Sequence, residues 1–370
     1  MSAITIGGDL IHYEKLGRGR PVILVHGWIG SWRYWIPLMQ KLHTSFSVYT
    51  LDLVGFGDSY WFKEWFDGRV QALWFLLGGI ALYKIAEGYD TAFIQKTTLK
   101  EGGILIGMGL IASLVWQAEL LLPLGFCMIF AIPFLRIPRW ALWPSAFVMT
   151  LAMPLFALVL NLDAEWDIQE HQYLAFWAPF FLIKRIFING HFPVFSYMPF
   201  VLIGIWLGGK NIHNQGFRST VMWLSLTVMI LTFFGAAVLG EFAYMFSGTG
   251  IHGMELYYAF RIEKIFPMPV FIVNTTAWCL FIMMTLATWL PLLPQSAQRL
   301  LSVAGYLSPW IYLVHVLLGI GLMKIIGWEN SMTGDHATIA AVIFLLVTGG
   351  ILYFFHQKGS DTESPLTKNE

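Results

Sequence analysis

The chain has 370 residues, of which 57% are hydrophobic and 12% are charged, whereas soluble domains carry about 25% charged residues. This composition excludes a disordered chain, a collagen-like fibre and a secreted disulfide scaffold, and it predicts an integral membrane protein. The 22 basic and 22 acidic residues cancel, so we expect no nucleic-acid partner. Cys127 and Cys279 lie in apolar runs, which suit small buried side chains better than a disulfide or a thiolate metal site.

The first 59 residues differ from the rest, because their apolar runs are only four to six residues long, which is the length of strands. We predict strands at residues 22–25 and 47–51, with a helix within residues 32–43 between them. The first strand is a continuous apolar run, which is typical of a strand buried on both faces. Strand, loop, helix and strand in this order indicate one α/β crossover unit.

Two stretches of this segment resemble the start of an α/β-hydrolase. They are His26 to Ser31 (HGWIGS) and Asp52 to Ser59 (DLVGFGDS). The resemblance implies that His26 and Gly27 form a turn and that the backbone N–H of Trp28 belongs to an oxyanion hole. The Gly-x-Ser-x-Gly elbow that carries the family's nucleophile does not occur in the sequence. We therefore expect an oxyanion remnant without hydrolase activity.

The remaining residues are dominated by stretches long enough to cross a bilayer, which takes about twenty apolar residues. Stretches without Asp, Glu, Lys or Arg are residues 140–162, 186–209, 219–240, 265–298, 300–323 and 336–357. Residues 102–135 indicate a hairpin of two short helices, and residues 70–83 indicate one more span. The predicted fold class is an all-α polytopic membrane protein of about nine transmembrane helices, preceded by a short α/β-hydrolase-like strand-helix-strand segment.

These patterns divide the chain into four parts. They are residues 1–59 (incomplete hydrolase-like segment), 60–68 (junction), 69–357 (multi-span membrane domain) and 358–370 (polar cytoplasmic tail). The cytoplasmic side follows from alternating basic and acidic loops in the C-terminal half, because short basic loops mark that side. Counting back through nine spans puts residues 1–59 outside, although they carry no signal-peptide pattern. A further first span, a soluble segment carried across the membrane, or a miscount by one span would resolve this conflict.

Ionisable side chains at membrane depth are costly, and they are by default candidates for function. His315 follows Tyr312 by three positions within an apolar span, so a helix places both on one face. His191 follows an Asn-Gly turn just before a span, where a histidine can act as a base. We assign catalysis to His315 and His191, and substrate binding to Glu119, Tyr312 and Arg69. The structural alternatives are a buried core histidine and a solvated loop carboxylate.

The membrane domain also carries a family resemblance, over about residues 64–356. The stretches that carry it are residues 66–83, 107–121, 189–195 (NGHFPVF), 200–208 and 305–318. They resemble bacterial heparan-α-glucosaminide N-acetyltransferase-like proteins and the related polytopic acyltransferases of cell-surface sugars. The resemblance implies a bacterial inner-membrane protein that transfers an acyl group from acyl-CoA to a glycan or lipid-linked sugar. It implies a co-substrate but no bound cofactor, and the ten histidines show no spacing typical of a metal site.

One departure from that family bears on activity. The family places its proposed catalytic histidine near a first span, and the hydrolase-like segment occupies that place in this chain. Either His191 and His315 substitute for that residue, or acyl transfer is impaired or absent. Two other functions stay open, namely a membrane-tethered α/β-hydrolase whose serine, acid and histidine come from a partner, and a non-enzymatic transport or structural membrane component.

Overall fold

The structure is a computed structural model of the chain. It describes residues 2–6, 9–25, 32–52, 68–160, 162, 165–167, 172–174, 176–247, 267–326, 343–344, 347 and 349–350. The chain divides into two compact units, Met1–Val70 and Gln71–Glu370.

The first unit contains a four-stranded mixed sheet. Its strands are β1 (Ser2–Ile6), β2 (Asp9–Leu16), β3 (Arg20–Val25) and β4 (Phe46–Leu51), in the order β1-β2-β4-β3. Strands β3 and β4 are parallel, and their crossover holds a 3₁₀ turn at Trp32–Trp35 and helix α1 at Ile36–Leu42. The predicted strand-helix-strand unit is confirmed. The β1–β2 hairpin was not predicted, because polar residues interrupt β2 (DLIHYEKL).

Strand β4 is the most buried described strand of this sheet. Thr50 is fully buried, and its Oγ1 donates a hydrogen bond to the sulfur of Met39 in α1 at 3.6 Å. Strand β3 lies at the edge of the described sheet and leaves Ile23 63% exposed and Val25 47% exposed. The expected burial of β3 on both faces is therefore wrong, because among the described residues β3 pairs only with β4 and keeps one edge of the sheet.

The second unit is helical, and helix α2 begins just before it. The described helices are α2 (Arg69–Ala86), α3 (Thr91–Ser113), α4 (Leu121–Phe130), α5 (Leu142–Val159), α6 (Pro179–Lys184), α7 (Val194–Gly208), α8 (Gln215–Ser247), α9 (Pro269–Trp289), α10 (Gln295–Val314) and α11 (Gly321–Ile326). Two π-helical segments, Arg185–Asn189 and His315–Ile320, follow α6 and α10. A small sheet of β5 (Trp166–Asp167) and β6 (Gln172–Tyr173) lies between α5 and α6.

Five of these segments are long and apolar enough to cross a membrane. They are Arg69–Ala86, Arg139–Ala157, Gln215–Gly240, Pro269–Leu292 and Gln295–Ile326. A sixth is formed if Phe181–Asn189 and Val194–Gly208, which are bent by 44°, make one broken span. The predicted nine spans are thus not confirmed within the described part of the chain.

The difference from nine has two sources. The predicted hairpin is present as α3 packed on α4, but α3 carries Lys96, Lys100 and Glu101, and α4 has only 10 residues. A helix of 10 residues rises about 15 Å, which is half of an apolar bilayer core. Most of the predicted span at residues 336–357 lies outside the described residues.

Helices α2 and α7 touch backbone to backbone at the centre of the bundle. A Cβ atom on Gly79 would lie 2.1 Å from the Val201 carbonyl oxygen, and one on Gly204 would lie 2.1 Å from that of Leu76. Only glycine fits at either position, since real Cβ contacts are not this short. Phe75 packs beside this crossing and is fully buried, so the glycines let aromatic side chains close around two helices in direct contact.

Candidate functional site

A polar cleft lies within the helical unit, between the α3–α4 connection and the break between α6 and α7. Its polar lining comes from Gln117, Glu119, Arg185 and His191. It encloses about 280 Å³, including the part that is open to solvent. The space that a water-sized group can occupy in it is only about 20 Å³, far below the range of about 300–1,000 Å³ that is common for small-molecule sites and close to the room that one water molecule needs, so the cleft admits one small polar group.

The sequence produces the helix break for local reasons. The π-helical segment begins at Arg185 and ends where the backbone N–H of Gly190 donates to the Arg185 carbonyl oxygen at 2.9 Å. Pro193 has no N–H to continue the helix, and it caps the start of α7 instead. Because π-turns and irregular backbone in an apolar bundle occur mostly where they line a site, the break itself points to this cleft.

Glu119 enters the cleft from the α3–α4 connection and is only 4% exposed. Its Oε2 accepts hydrogen bonds from the backbone N–H groups of Leu121, at 2.8 Å, and Leu122, at 3.1 Å. The carboxyl group therefore caps the first turn of α4. Burial raises the pKa of Glu119 to about 7, although the two backbone hydrogen bonds and the Arg185 charge act in the opposite direction.

Arg185 provides the positive charge of the cleft. It is 6% exposed, and the ring centroid of Phe176 lies 3.5 Å from its guanidinium carbon. Its Nε and Nη2 atoms are buried, and they have no hydrogen-bond acceptor among the described residues. Sequence reasoning missed this arginine, because it lies at the start of an apolar run and looks like a loop charge that orients the neighbouring helix.

A network of hydrogen bonds fixes the π-helical segment. Asn189 is fully buried, and its amide joins Glu165 Oε2 at 2.9 Å and the Tyr173 hydroxyl at 3.1 Å. The Asn189 carbonyl oxygen accepts from the Trp166 indole N–H at 2.7 Å. Lys184 forms an ion pair with Glu165 at 2.7 Å. These contacts hold the segment from the side of β5 and β6, so the cleft has a rigid wall.

His191 follows the π-helical segment and is partly exposed. Its ring packs on the Trp166 indole with 4.7 Å between centroids. On the other side of the cleft, Gln117 Oε1 accepts from the backbone N–H of Tyr173 at 2.9 Å. The predicted catalytic residue His191 and the predicted binding residue Glu119 thus line one cleft, although 72 positions separate them in the sequence.

The other predicted site residues lie elsewhere. The Tyr312 hydroxyl accepts from the backbone N–H of Leu120 at 3.3 Å, next to Glu119, but Tyr312 does not line the cleft. His315 is exposed and stacks edge-on against Phe344, with 4.7 Å between centroids. Arg69 is buried at the first residue of α2 and is not part of the lining. The oxyanion remnant, His26, Gly27 and Trp28, lies outside the described residues.

Comparison with known proteins identifies the N-terminal fold. Residues 20–67 match the family described as alpha/beta hydrolase fold. A soluble epoxide hydrolase from Corynebacterium sp. (strain C12) is 40% identical over 67 residues, which are 18% of this chain and 23% of that protein. A pimeloyl-[acyl-carrier protein] methyl ester esterase from Stenotrophomonas maltophilia (strain K279a) is 35% identical over 71 residues, which are 19% of this chain and 26% of that protein.

These matches confirm the predicted α/β-hydrolase-fold fragment at the N terminus. The chain spans about a quarter of the length of the curated relatives it matches. The matches do not show the predicted acyltransferase-like family. No solved structure matches the chain.

Proposed function

We propose that this chain is an integral membrane protein whose helical unit transfers an acyl group to a sugar of the cell envelope. The donor is an acyl thioester such as acyl-CoA, and the acceptor is a hydroxyl or amine of a glycan or lipid-linked sugar. The protein lies in a bacterial inner membrane with its C terminus in the cytoplasm. One observation carries the proposal, namely that His191 and Glu119, a buried carboxyl group with a pKa of about 7, line one cleft in an apolar helical bundle.

The reaction requires a group that removes a proton from the acceptor as the acceptor attacks the thioester carbonyl carbon. His191 has this role, since it is partly exposed and is held in place by the Trp166 ring. His191 takes the proton of the acceptor as the acceptor oxygen or nitrogen bonds to the acyl carbon; the carbon–sulfur bond then breaks, and the leaving sulfur receives that proton from His191 and departs as a thiol. Glu119 is held at the N terminus of α4 and sets the charge of the cleft according to its protonation.

Tyr312 is a positioning residue in this proposal. Its contact with the Leu120 N–H ties α10 to the connection that carries Glu119. A Tyr312→Phe variant loses that contact and keeps the ring, so it is expected to raise the KM for the acceptor more than it lowers kcat. A KM-against-kcat comparison on the purified chain separates this role from a merely structural one.

The test is acyl transfer by the full chain in proteoliposomes, with radiolabelled acetyl-CoA and envelope glycan. His191→Ala is expected to lower the rate at least a hundredfold, as removal of a general base does. His213→Ala is the matched control, because His213 is exposed in the loop before α8. If wild-type protein transfers no label, or if His191→Ala transfers as much as His213→Ala, the proposal is refuted.

A second function is favoured by the match of residues 20–67 to the alpha/beta hydrolase fold and by the esterase and epoxide hydrolase among the relatives. In this alternative the chain is a membrane-tethered hydrolase whose serine, acid and histidine are supplied by a partner. A fluorophosphonate probe on the membrane fraction tests it. Labelled serine in a complex with this chain supports the hydrolase, whereas absence of such a complex removes it.

A further inference from the structure

One edge of the Arg185 guanidinium is buried and carries two donors. Nε and Nη2 are the two nitrogens that are buried without an acceptor among the described residues. In a guanidinium these two nitrogens share an edge, and their N–H bonds run parallel. Two parallel N–H bonds match the two oxygens of a carboxylate or of a phosphate group.

The neighbouring carboxylates do not use this edge. Glu119 accepts from the first backbone N–H groups of α4, and Glu165 forms its ion pair with Lys184 at 2.7 Å. Within the described ranges, no carboxylate oxygen lies within 4.0 Å of an Arg185 nitrogen. Glu119 and Arg185 attract each other through space, but the buried edge has no hydrogen-bonded counter-charge, which is costly, and an anion in the cleft would offset this cost.

Neighbouring side chains hold the Arg185 guanidinium in place. The Phe176 ring covers one face of the guanidinium, with its centroid at 3.5 Å from the guanidinium carbon. The Asn189 network fixes the π-helical segment on which Arg185 lies. Arg185 is among the residues that line the cleft, so its buried donors are held in the wall of the cleft, an arrangement that stabilises a bound group through geometry as well as charge.

We propose that the cleft binds an oxyanion of the acceptor, a carboxylate or a phosphate group, through a two-point contact with Nε–H and Nη2–H of Arg185. The inference rests on the proposed function in one respect, because it assigns the anion to the sugar that accepts the acyl group. It narrows the acceptor to an acidic or phosphorylated sugar. Arg185 then holds the acceptor while His191 faces its reacting group.

The test is equilibrium binding to the purified full chain in detergent, without acyl donor. The probes are a hexuronic acid, a hexose 6-phosphate and the neutral parent hexose. At least one charged sugar is expected to bind tenfold or more tightly than the neutral hexose, and the better one identifies the anion as carboxylate or phosphate. Arg185→Gln is expected to weaken that binding at least tenfold, whereas Arg136→Gln, which alters an exposed arginine, leaves it unchanged.

Arg185→Lys keeps the test decisive if Arg185→Gln does not fold. It retains the buried charge and lacks the paired edge, so it is expected to weaken binding of the preferred anion at least fivefold. Equal binding of charged and neutral sugars, or equal affinity of the wild type and Arg185→Lys, overturns the proposal. Because no thioester is present, failed acyl transfer with intact sugar binding refutes the reaction and leaves the oxyanion site standing.

Discussion

Replacement of Glu119 by glutamine is expected to remove a pH dependence of stability that the wild-type chain carries. The pKa of this carboxyl group is about 7 in the folded chain against an ordinary 4.5, because it is buried. Between these values the folded chain holds a proton that the unfolded chain has released, so stability falls as pH rises from 4.5 to 7. At about 1.36 kcal/mol per pKa unit, the loss is about 3 kcal/mol and is complete above pH 7.

Glu119→Gln keeps an oxygen that accepts from the Leu121 and Leu122 N–H groups, but it has no proton to release. We therefore expect the variant to equal the wild type near pH 5 and to exceed its stability at pH 8 by up to about 3 kcal/mol. The assay is thermal unfolding in detergent, followed with a thiol-reactive dye, because Cys127 and Cys279 are both buried.

Glu87→Gln is the matched control, because Glu87 is exposed and forms its ion pair with Lys84 at the surface. Its unfolding temperature is expected to follow the wild-type dependence on pH. A Glu119→Gln variant whose unfolding temperature still falls between pH 5 and pH 7.5 as the wild type's does would refute the reasoning. The carboxyl group would then be charged at low pH, and burial would not govern it.

Three further predictions follow from single contacts. Gly79→Ala is expected to destabilise the bundle by about 1–3 kcal/mol through overpacking, whereas Gly103→Ala, with open space beside it, does not lower the unfolding temperature. Asn189→Leu is expected to cost about 3 kcal/mol and to lower the unfolding temperature, because the Tyr173 hydroxyl, the Glu165 carboxylate and the Leu162 carbonyl oxygen lose their contacts with the Asn189 side chain. His315→Ala is expected to retain wild-type acyl transfer where His191→Ala loses it, since His315 does not line the cleft; equal losses in the transfer assay would contradict this.

Local sequence patterns were sufficient to predict the elements whose formation depends on residues close together in the chain. Apolar runs of strand length gave the parallel β3–β4 pair and its helix, and charge-free stretches marked five segments that are long enough to cross a membrane. The same reasoning overestimated the length of α4, because a run of apolar residues does not show where a helix ends. It also missed the β1–β2 hairpin, whose residues Asp9–Leu16 mix polar and apolar side chains.

The site was only partly predictable, because its members come from distant parts of the chain. Glu119 and His191 each carried a local signal, namely an ionisable group inside or beside an apolar run, and no pattern in the sequence said that they share a cleft. The position of Arg185 in the sequence was misleading, since a basic residue at the start of an apolar run usually lies in a loop. Its role depends on the carboxylates around it being used elsewhere, which only three-dimensional contacts reveal.

The break in the helix explains how the charged Arg185 side chain can lie inside an apolar bundle. A regular helix through residues 185–193 would carry an arginine into apolar surroundings with its backbone fully paired and no group to receive its donors. The π-turn and Pro193 open the backbone at that point, and the opening is lined by polar atoms from Gln117 and Glu119. The break bends the segment by 44° and leaves space beside the buried guanidinium. We propose that the anion binds in this space.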